Sequence, residues 1–360
     1  MIDLFRPFVP RECIDEVSDT LRSRFIGQGP RVEQFEKDFS KLFNLNYAVS
    51  LNSGTSALET AYDLIGLKEG DEVISTPLTC TATNLPLIRR GVKIIWADIL
   101  EDTLCIDPKD VERKLNPNVK AVVQVHLGGI KAMVNYTSVP VVSDACQALG
   151  IFSGDYTCCS FQAIKHITTG DGGMIVVHNP QHFKDAKLLR WFGIDREKKI
   201  ANNWQAYQKR AMTFDIELPG TKRHMTDIAA AMGIVGLQYY SYVIEHRKKI
   251  FDIYRNELCN VPGLKLIDSP FNTYWLATVL VERRDDFAKM LFEADIDNNL
   301  VQVRNDAYAI FGGENGRPNI KNDALPIMDK IEFKYISIPL NMTVREEDAF
   351  YICSKIKQGW

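Results

Sequence analysis

The chain has 360 residues, 46% hydrophobic, 25% charged and 10% aromatic, which is ordinary for a folded globular protein of one large unit and a smaller one. A formal charge of -3 gives no general reason to expect nucleic acid or an anionic membrane surface as partner. Neither a stretch of 18 uncharged apolar residues nor a basic-then-apolar opening is present, so the expectation is a protein with no membrane span and no secretory signal.

In chain order, residues 47–51 read as a strand and 54–65 as the helix after it. A strand at 72–75, a helix at 82–89 and a strand at 92–97 follow. Strands at 120–127, 139–143 and 174–178 continue the series, the last opened by the turn cluster Gly170-Asp171-Gly172-Gly173. Alternation of this kind predicts an α/β unit built on a mainly parallel sheet flanked by helices. Residues 226–257 form a long helical region, apolar at first and charged from Glu245 on, and Arg247-Lys248-Lys249 reads as a solvated helix face. Strands at 264–267, 275–281, 300–303 and 335–339 and helices at 284–294 and 345–357 predict a smaller C-terminal α+β unit. The boundary is expected inside the long helix, giving units 1–245 and 246–360. Residues 311–323, rich in Gly and Asn, read as a surface or lid loop.

The eight cysteines, at 13, 80, 105, 146, 158, 159, 259 and 353, form no Cys-x-x-Cys pair. His178 and His182 have a ligand-like spacing, but Asn179-Pro180 interrupts the helix that such a pair would need. Free thiols, a reducing cytoplasmic compartment and no structural metal are the expectation.

Three segments carry chemistry. In SFQAIKHITTGDGG (160–173), Lys165 stands among apolar residues before a Gly-rich turn. Burial disfavours its charged form and suits it to covalent catalysis; the alternative is a lysine reaching out to solvent. In VPVVSDACQALG (139–150), Asp144 ends an apolar strand, where ligands of α/β sheets gather. The other use of an Asp there is to cap a following helix. In LNSGTSALE (51–59), a strand runs into Gly54-Thr55-Ser56 and a helix, whose free N–H groups and dipole suit a phosphate, or which is simply a capped helix start.

Together these segments resemble the sugar aminotransferases of the DegT/StrS type, within the fold-type I pyridoxal-phosphate superfamily. FIGQGPRVEQFEKDF, KRHMTDIAAAMGIVGLQ and SIPLNMTVREEDAFYICSKI resemble further parts of that family, so the likeness runs through most of the chain. It implies an aminotransferase using pyridoxal 5'-phosphate, with Lys165 as the Schiff-base lysine and proton carrier. Asp144 would face the pyridine nitrogen, Gln147 would sit near the ring hydroxyl, and Ser160 would join Gly54, Thr55 and Ser56 around the phosphate. His166 is a neighbour of the lysine rather than a second base. The family's usual ring-stacking aromatic is replaced by Cys80, and the Asn that often reaches the neighbouring subunit's phosphate by Lys222. Segments 126–139 and 150–160 look short, and 302–313 lacks the more familiar His/Pro-rich substrate loop. The implied substrates are glutamate and a nucleotide-linked keto-deoxysugar, aminated at ring carbon 3 or 4, in a homodimer with shared active sites. A cyclitol or other keto acceptor, and a non-catalytic cofactor-binding sensor on the same fold, are the alternatives. A nicotinamide dehydrogenase is disfavoured, since no Gly-x-Gly-x-x-Gly follows the first strand.

Overall fold

The computed structural model describes residues 1–134, 138–196, 216–318 and 324–360. Two amphipathic helices, α1 (Glu12–Ser23) and α2 (Pro30–Leu42), precede the first strand. Strands β1 (Ala48–Leu51), β2 (Glu72–Ser75), β3 (Lys93–Trp96) and β4 (Val119–Val125) alternate with α3 (Gly54–Ile65), α4 (Thr81–Arg89) and α5 (Pro108–Lys114). Strands β5 (Val141–Asp144), β6 (Tyr156–Ser160) and β7 (Gly173–Val177), followed by α6 (Pro180–Leu189), complete the set.

The seven strands form one sheet in the order β1-β7-β6-β5-β4-β2-β3. Pairing is parallel from β3 through β6, while β7 runs antiparallel to both β6 and β1. It follows that β1 points the same way as β2 to β6. Strands β5, β6 and β7 are buried at every position, the continuous apolar pattern of a sheet covered on both faces. One apolar cluster joins β1, β4 and β6 to α3 and α6, and another joins α2, β7 and the residues near Met225 and Leu237 on the other face.

The fold class read from the sequence is thus observed, with differences of detail. Strand β6 was not expected: YTCCS is short and shows no alternation, and it lies in the segment read only as shortened. The long helical region is two helices, α7 (Asp227–Gln238) and α8 (Tyr240–Leu258), separated at Tyr239. Asp227 starts α7 and also caps α2, its carboxylate accepting N–H bonds from Gly29, Arg31 and Val32 at 2.8–3.2 Å. Residue 245 lies within α8.

The C-terminal part carries a three-stranded antiparallel sheet, β8 (Leu264–Leu266), β9 (Ala277–Val281) and β10 (Tyr335–Ile338), with helices α9 (Arg284–Glu293), α10 (Pro326–Ile331) and α11 (Glu346–Lys357). Residues 300–303 do not form the expected strand. Isolated bridges flank them instead, Asn299 with Ser337 of β10 and Arg304 with Leu78, so this stretch crosses from the small sheet to the β2–α4 connection without a continuous ladder. Of the 311–323 loop, residues 319–323 lie outside the described residues, and 312–318 form no helix or strand.

Arg247 corrects the reading of its neighbourhood as a solvated face. Lys248 and Lys249 are exposed, but Arg247 is buried and donates to the carbonyls of Tyr274, Trp275 and Leu340 at 3.4, 3.1 and 2.6 Å. Burial pushes its pKa down to about 10, still charged at neutral pH. A guanidinium presents five donors, enough to bind several chain segments at once.

Candidate active site

Because β1, β2, β4, β5 and β6 share one direction, their C-terminal ends meet along a single edge of the sheet, where α/β folds bind ligands. The start of antiparallel β7 lies at the same edge. To this line the sequence delivers Gly54-Thr55-Ser56 after β1, Cys80 after β2, Gly128 after β4, Asp144 at the end of β5 and Ser160 at the end of β6.

The turn after β1 is locally determined. Ser53 caps α3, its hydroxyl accepting from the Ser56 N–H at 3.0 Å, and the Ser56 hydroxyl donates to Asn52 at 2.6 Å. Gly54 is required by a close approach: a Cβ there would stand 2.7 Å from Cys146 Sγ and 2.9 Å from Ser160 Cβ. That contact joins the ends of β1, β5 and β6 into one wall. Gly54 and Thr55 are first-turn residues, whose N–H groups an α-helix leaves without an internal partner. A phosphate fits such an end, with the Thr55, Ser56 and Ser160 hydroxyls beside it.

Asp144 is buried and does not cap a helix, because a turn follows it. One carboxylate oxygen accepts the Cys146 N–H at 3.0 Å, and the other accepts the Thr83 hydroxyl at 2.7 Å. Since Thr83 spends its proton on that bond, the Thr79 hydroxyl 2.8 Å away must donate to Thr83. The chain of contacts continues outward. Asn84 donates to the Asn305 side chain at 3.0 Å, and Asn305 donates to the Thr79 carbonyl at 2.7 Å. Gln147 is buried, and its side-chain oxygen accepts from the Gly128 N–H at 2.8 Å, so it fixes the loop after β4 at the site's edge.

Lys165 lies in the loop between β6 and β7, which Phe161 and Ile167 anchor in the core. Its N–H donates to the Gln162 carbonyl at 2.9 Å. Burial lowers the pKa of its ammonium group, and Cys146, Asp144 and Cys80 act in the opposite direction. Two groups expected from the sequence to surround one cofactor, Asp144 and Cys80, therefore bear electrostatically on the amine, together with Cys146, which was not expected. The amine rests on the ring of Trp275, 3.9 Å from its centroid. His166 is buried, with Nε2 at 2.8 Å from the Thr273 carbonyl. Burial, helped by Arg247, drives its pKa down to about 3, so it is a neutral neighbour and not a base.

Cys80 is exposed at the N-terminus of α4 and makes no capping bond. Lys222 is exposed; the residue after it accepts the Asn52 N–H at 2.7 Å, beside the turn that starts α3. Thr83, Asn305 and Trp275 escaped sequence reasoning. Thr83 follows Cys80 by one helical turn and was open to discovery by spacing, whereas Asn305 and Trp275 reach the site only through tertiary packing. A cavity of about 890 Å³ lies elsewhere, along the outer strand β3, lined by Trp96, Phe311 and Arg304, and holds none of these groups.

Comparison with known proteins gives a consistent result. The sequence model of the DegT/DnrJ/EryC1/StrS aminotransferase family matches residues 9–357. The chain is similar to the spore coat polysaccharide biosynthesis protein SpsC of Bacillus subtilis, with 34% identity over 275 residues, covering 72% of this chain and 69% of SpsC. It is 24% identical to the GDP-perosamine synthase of Vibrio cholerae over 99% of this chain and 98% of that protein. Among solved structures, the sugar aminotransferase CalS13 from Micromonospora echinospora superposes with a TM-score of 0.90 and 26% identity, covering both chains completely.

The Thr83 hydroxyl makes a testable prediction. Thr83→Val keeps the side chain's shape but removes a donor from the Asp144 carboxylate, and should slow amine uptake by the bound cofactor by about ten- to a hundredfold. Thr83→Ser keeps the donor and should stay within about threefold of wild type. Single-turnover kinetics followed by absorbance distinguish the two; equal rates in both variants would reduce Thr83 to packing.

Proposed function

Because this chain belongs to the DegT/DnrJ/EryC1/StrS aminotransferase family, and is by that membership a pyridoxal-phosphate-dependent aminotransferase, we propose that it moves an amino group from glutamate to a nucleotide-linked keto-deoxysugar at ring carbon 3 or 4. Membership sets aside the non-catalytic sensor. The observation that carries the reading is the convergence of Lys165, Asp144 and the N-terminus of α3 at one edge of the sheet. The sugar class is supported by likeness to a GDP-perosamine synthase along nearly the whole chain and to a polysaccharide biosynthesis protein.

When bound, pyridoxal phosphate supplies an electron sink that stabilises negative charge at the amine-bearing carbon. Lys165 would hold the cofactor covalently and, as a free amine, would carry a proton to and from the substrate's amine-bearing carbon. Asp144, fixed by Thr83 and the Cys146 N–H, would keep the ring nitrogen protonated. Gly54, Thr55, Ser56 and Ser160 would hold the phosphate, Gln147 would stand by the ring hydroxyl, and Cys80 would offer its thiol to the ring face with less area than an aromatic. The large unit 1–245 carries these groups, and 246–360 closes the site from the other side through Trp275 and Asn305. No helix among the described residues is long and apolar enough to cross a membrane, and eight unpaired thiols suit a reducing compartment such as the cytoplasm.

Three measurements test this reading. First, protein reconstituted with pyridoxal phosphate should be yellow, and borohydride should leave a reduced adduct on Lys165. Lys165→Ala should lose the visible band, and an adduct on another lysine would overturn the assignment. Second, with glutamate present, a panel of nucleotide-linked 3-keto- and 4-keto-deoxysugars should yield at least one amino sugar detected by mass. Turnover of keto-cyclitols alone would replace the acceptor. Third, we propose a homodimer in which Lys222 reaches the phosphate held by the other subunit. Lys165→Ala and Lys222→Ala, each nearly inactive alone, should recover about a quarter of wild-type activity when dissociated and reassembled together, since one site of each mixed dimer is intact. No recovery would place Lys222 in its own chain's site.

A further inference from the structure

The indole under the Lys165 amine is held with more care than a space-filling residue needs. Trp275 is 1% exposed, and its ring N–H donates to the carbonyl of Ile164, the residue just before the lysine, at 3.1 Å. Phe5 packs against it, with ring centroids 5.7 Å apart and the rings tilted by 32°. Its backbone is tied down on each flank. Arg247 donates to the carbonyls of Tyr274 and Trp275, the Leu276 N–H donates to Gly128, and the Thr273 N–H donates to Gly129. Gly129 adopts φ of 102°, and a Cβ there would come within 2.8 Å of the Trp275 nitrogen. The ring is therefore clamped between the lysine loop and the loop after β4, with its face 3.9 Å from Nζ.

An indole face attracts a cation and is indifferent to a neutral amine. We infer that Trp275 is a positioning residue for Lys165, its face serving as the seat for the charged amine and so setting both the amine's basicity and its place in the site. The other groups facing the amine are Asp144 and Cys146 at the end of β5 and Cys80 at the start of α4, all of which favour the charged form, whereas burial opposes it. His166, next along the loop, is neutral, its pKa driven to about 3. Removing the ring leaves burial less opposed, so the amine loses its proton more readily. The consequence for amino transfer rests on Lys165 being the cofactor lysine; the contact itself does not.

The test measures the titration of Lys165 in the full-length protein. Competitive acetylation with acetic anhydride, read at Lys165 by mass spectrometry across pH, gives the midpoint without cofactor. Trp275→Leu should lower that midpoint by about one unit, and Trp275→Phe by about half as much, because a smaller π-face remains. In protein loaded with pyridoxal phosphate, the pH midpoint of the visible band should fall in the same order. Replacing all five tryptophans by 5-fluorotryptophan keeps shape and N–H but weakens the face, and should move both midpoints down by roughly a few tenths. The fluorinated protein decides the matter if Trp275→Leu does not fold. Unmoved midpoints with 5-fluorotryptophan, or equal shifts in the Phe and Leu variants, would show that Trp275 only fills space. Failure of borohydride to trap Lys165 would instead sink the cofactor assignment and leave the acetylation midpoints as they are.

Discussion

The site depends on one close approach, the seating of the start of α3 against the ends of β6 and β7. Two glycines allow it. A Cβ on Gly173 would meet the Ser53 carbonyl oxygen at 2.2 Å, and one on Gly54 would meet Cys146 and Ser160. These are backbone and short side-chain contacts that cannot swing aside. With side chains at both positions, the helix end would be pushed off the sheet, and the amides of Gly54 and Thr55 would no longer face the same crevice as Lys165 and Asp144. The reversal of β7 contributes to this. An antiparallel strand between β6 and β1 makes the loop 161–172 a short return over the sheet edge, which holds Lys165 where a long crossover would carry it away.

A second constraint reaches the site from the C-terminal part of the chain. Arg304 is buried and bound by Asp306, Asp329 and Glu332, so the segment on either side of it is rigid. Asn305, inside that segment, bonds the loop that leads from β2 to Cys80, and Asn84 and Thr83 carry the connection inward to Asp144. Each member of this buried chain has a partner, which is the condition under which a polar network rigidifies a site instead of weakening it. The C-terminal part thus acts on Asp144 through hydrogen bonds and on Lys165 through Trp275.

Much of this was legible in the sequence because local chemistry announces it. The NSGTS turn specifies its own cap, the apolar run ending in Asp144 specifies a strand end, and the lysine before GDGG specifies a buried amine beside a tight return. Strand β6 was not legible, because YTCCS is buried on both faces and its two cysteines look like thiols rather than strand residues. Arg247 misled for the same kind of reason: in a run of three cations, only tertiary contacts decide which one turns inward. The resemblance to sugar aminotransferases named the roles, but it could not reveal Trp275 or Asn305, whose importance exists only once distant segments meet.

Around Lys165 the protein balances opposed electrostatic demands. A buried amine favours its neutral form, yet in the role proposed for Lys165, binding a cofactor and also carrying a proton, it has to exist in both states. Asp144 also favours the charged amine, but its two oxygens already accept from Thr83 and Cys146. An aromatic face offers a weaker, non-titrating attraction that does not compete for a proton. Holding His166 neutral follows the same logic, since a second cation adjacent to Lys165 would push the amine toward permanent deprotonation. The Thr273 carbonyl that occupies the His166 ring nitrogen and the ring that underlies the amine belong to one short stretch, 273–275. A single segment from the C-terminal part therefore touches two adjacent basic residues: it orients the His166 ring through a carbonyl, while burial and Arg247 keep that ring uncharged, and it lies under the Lys165 amine.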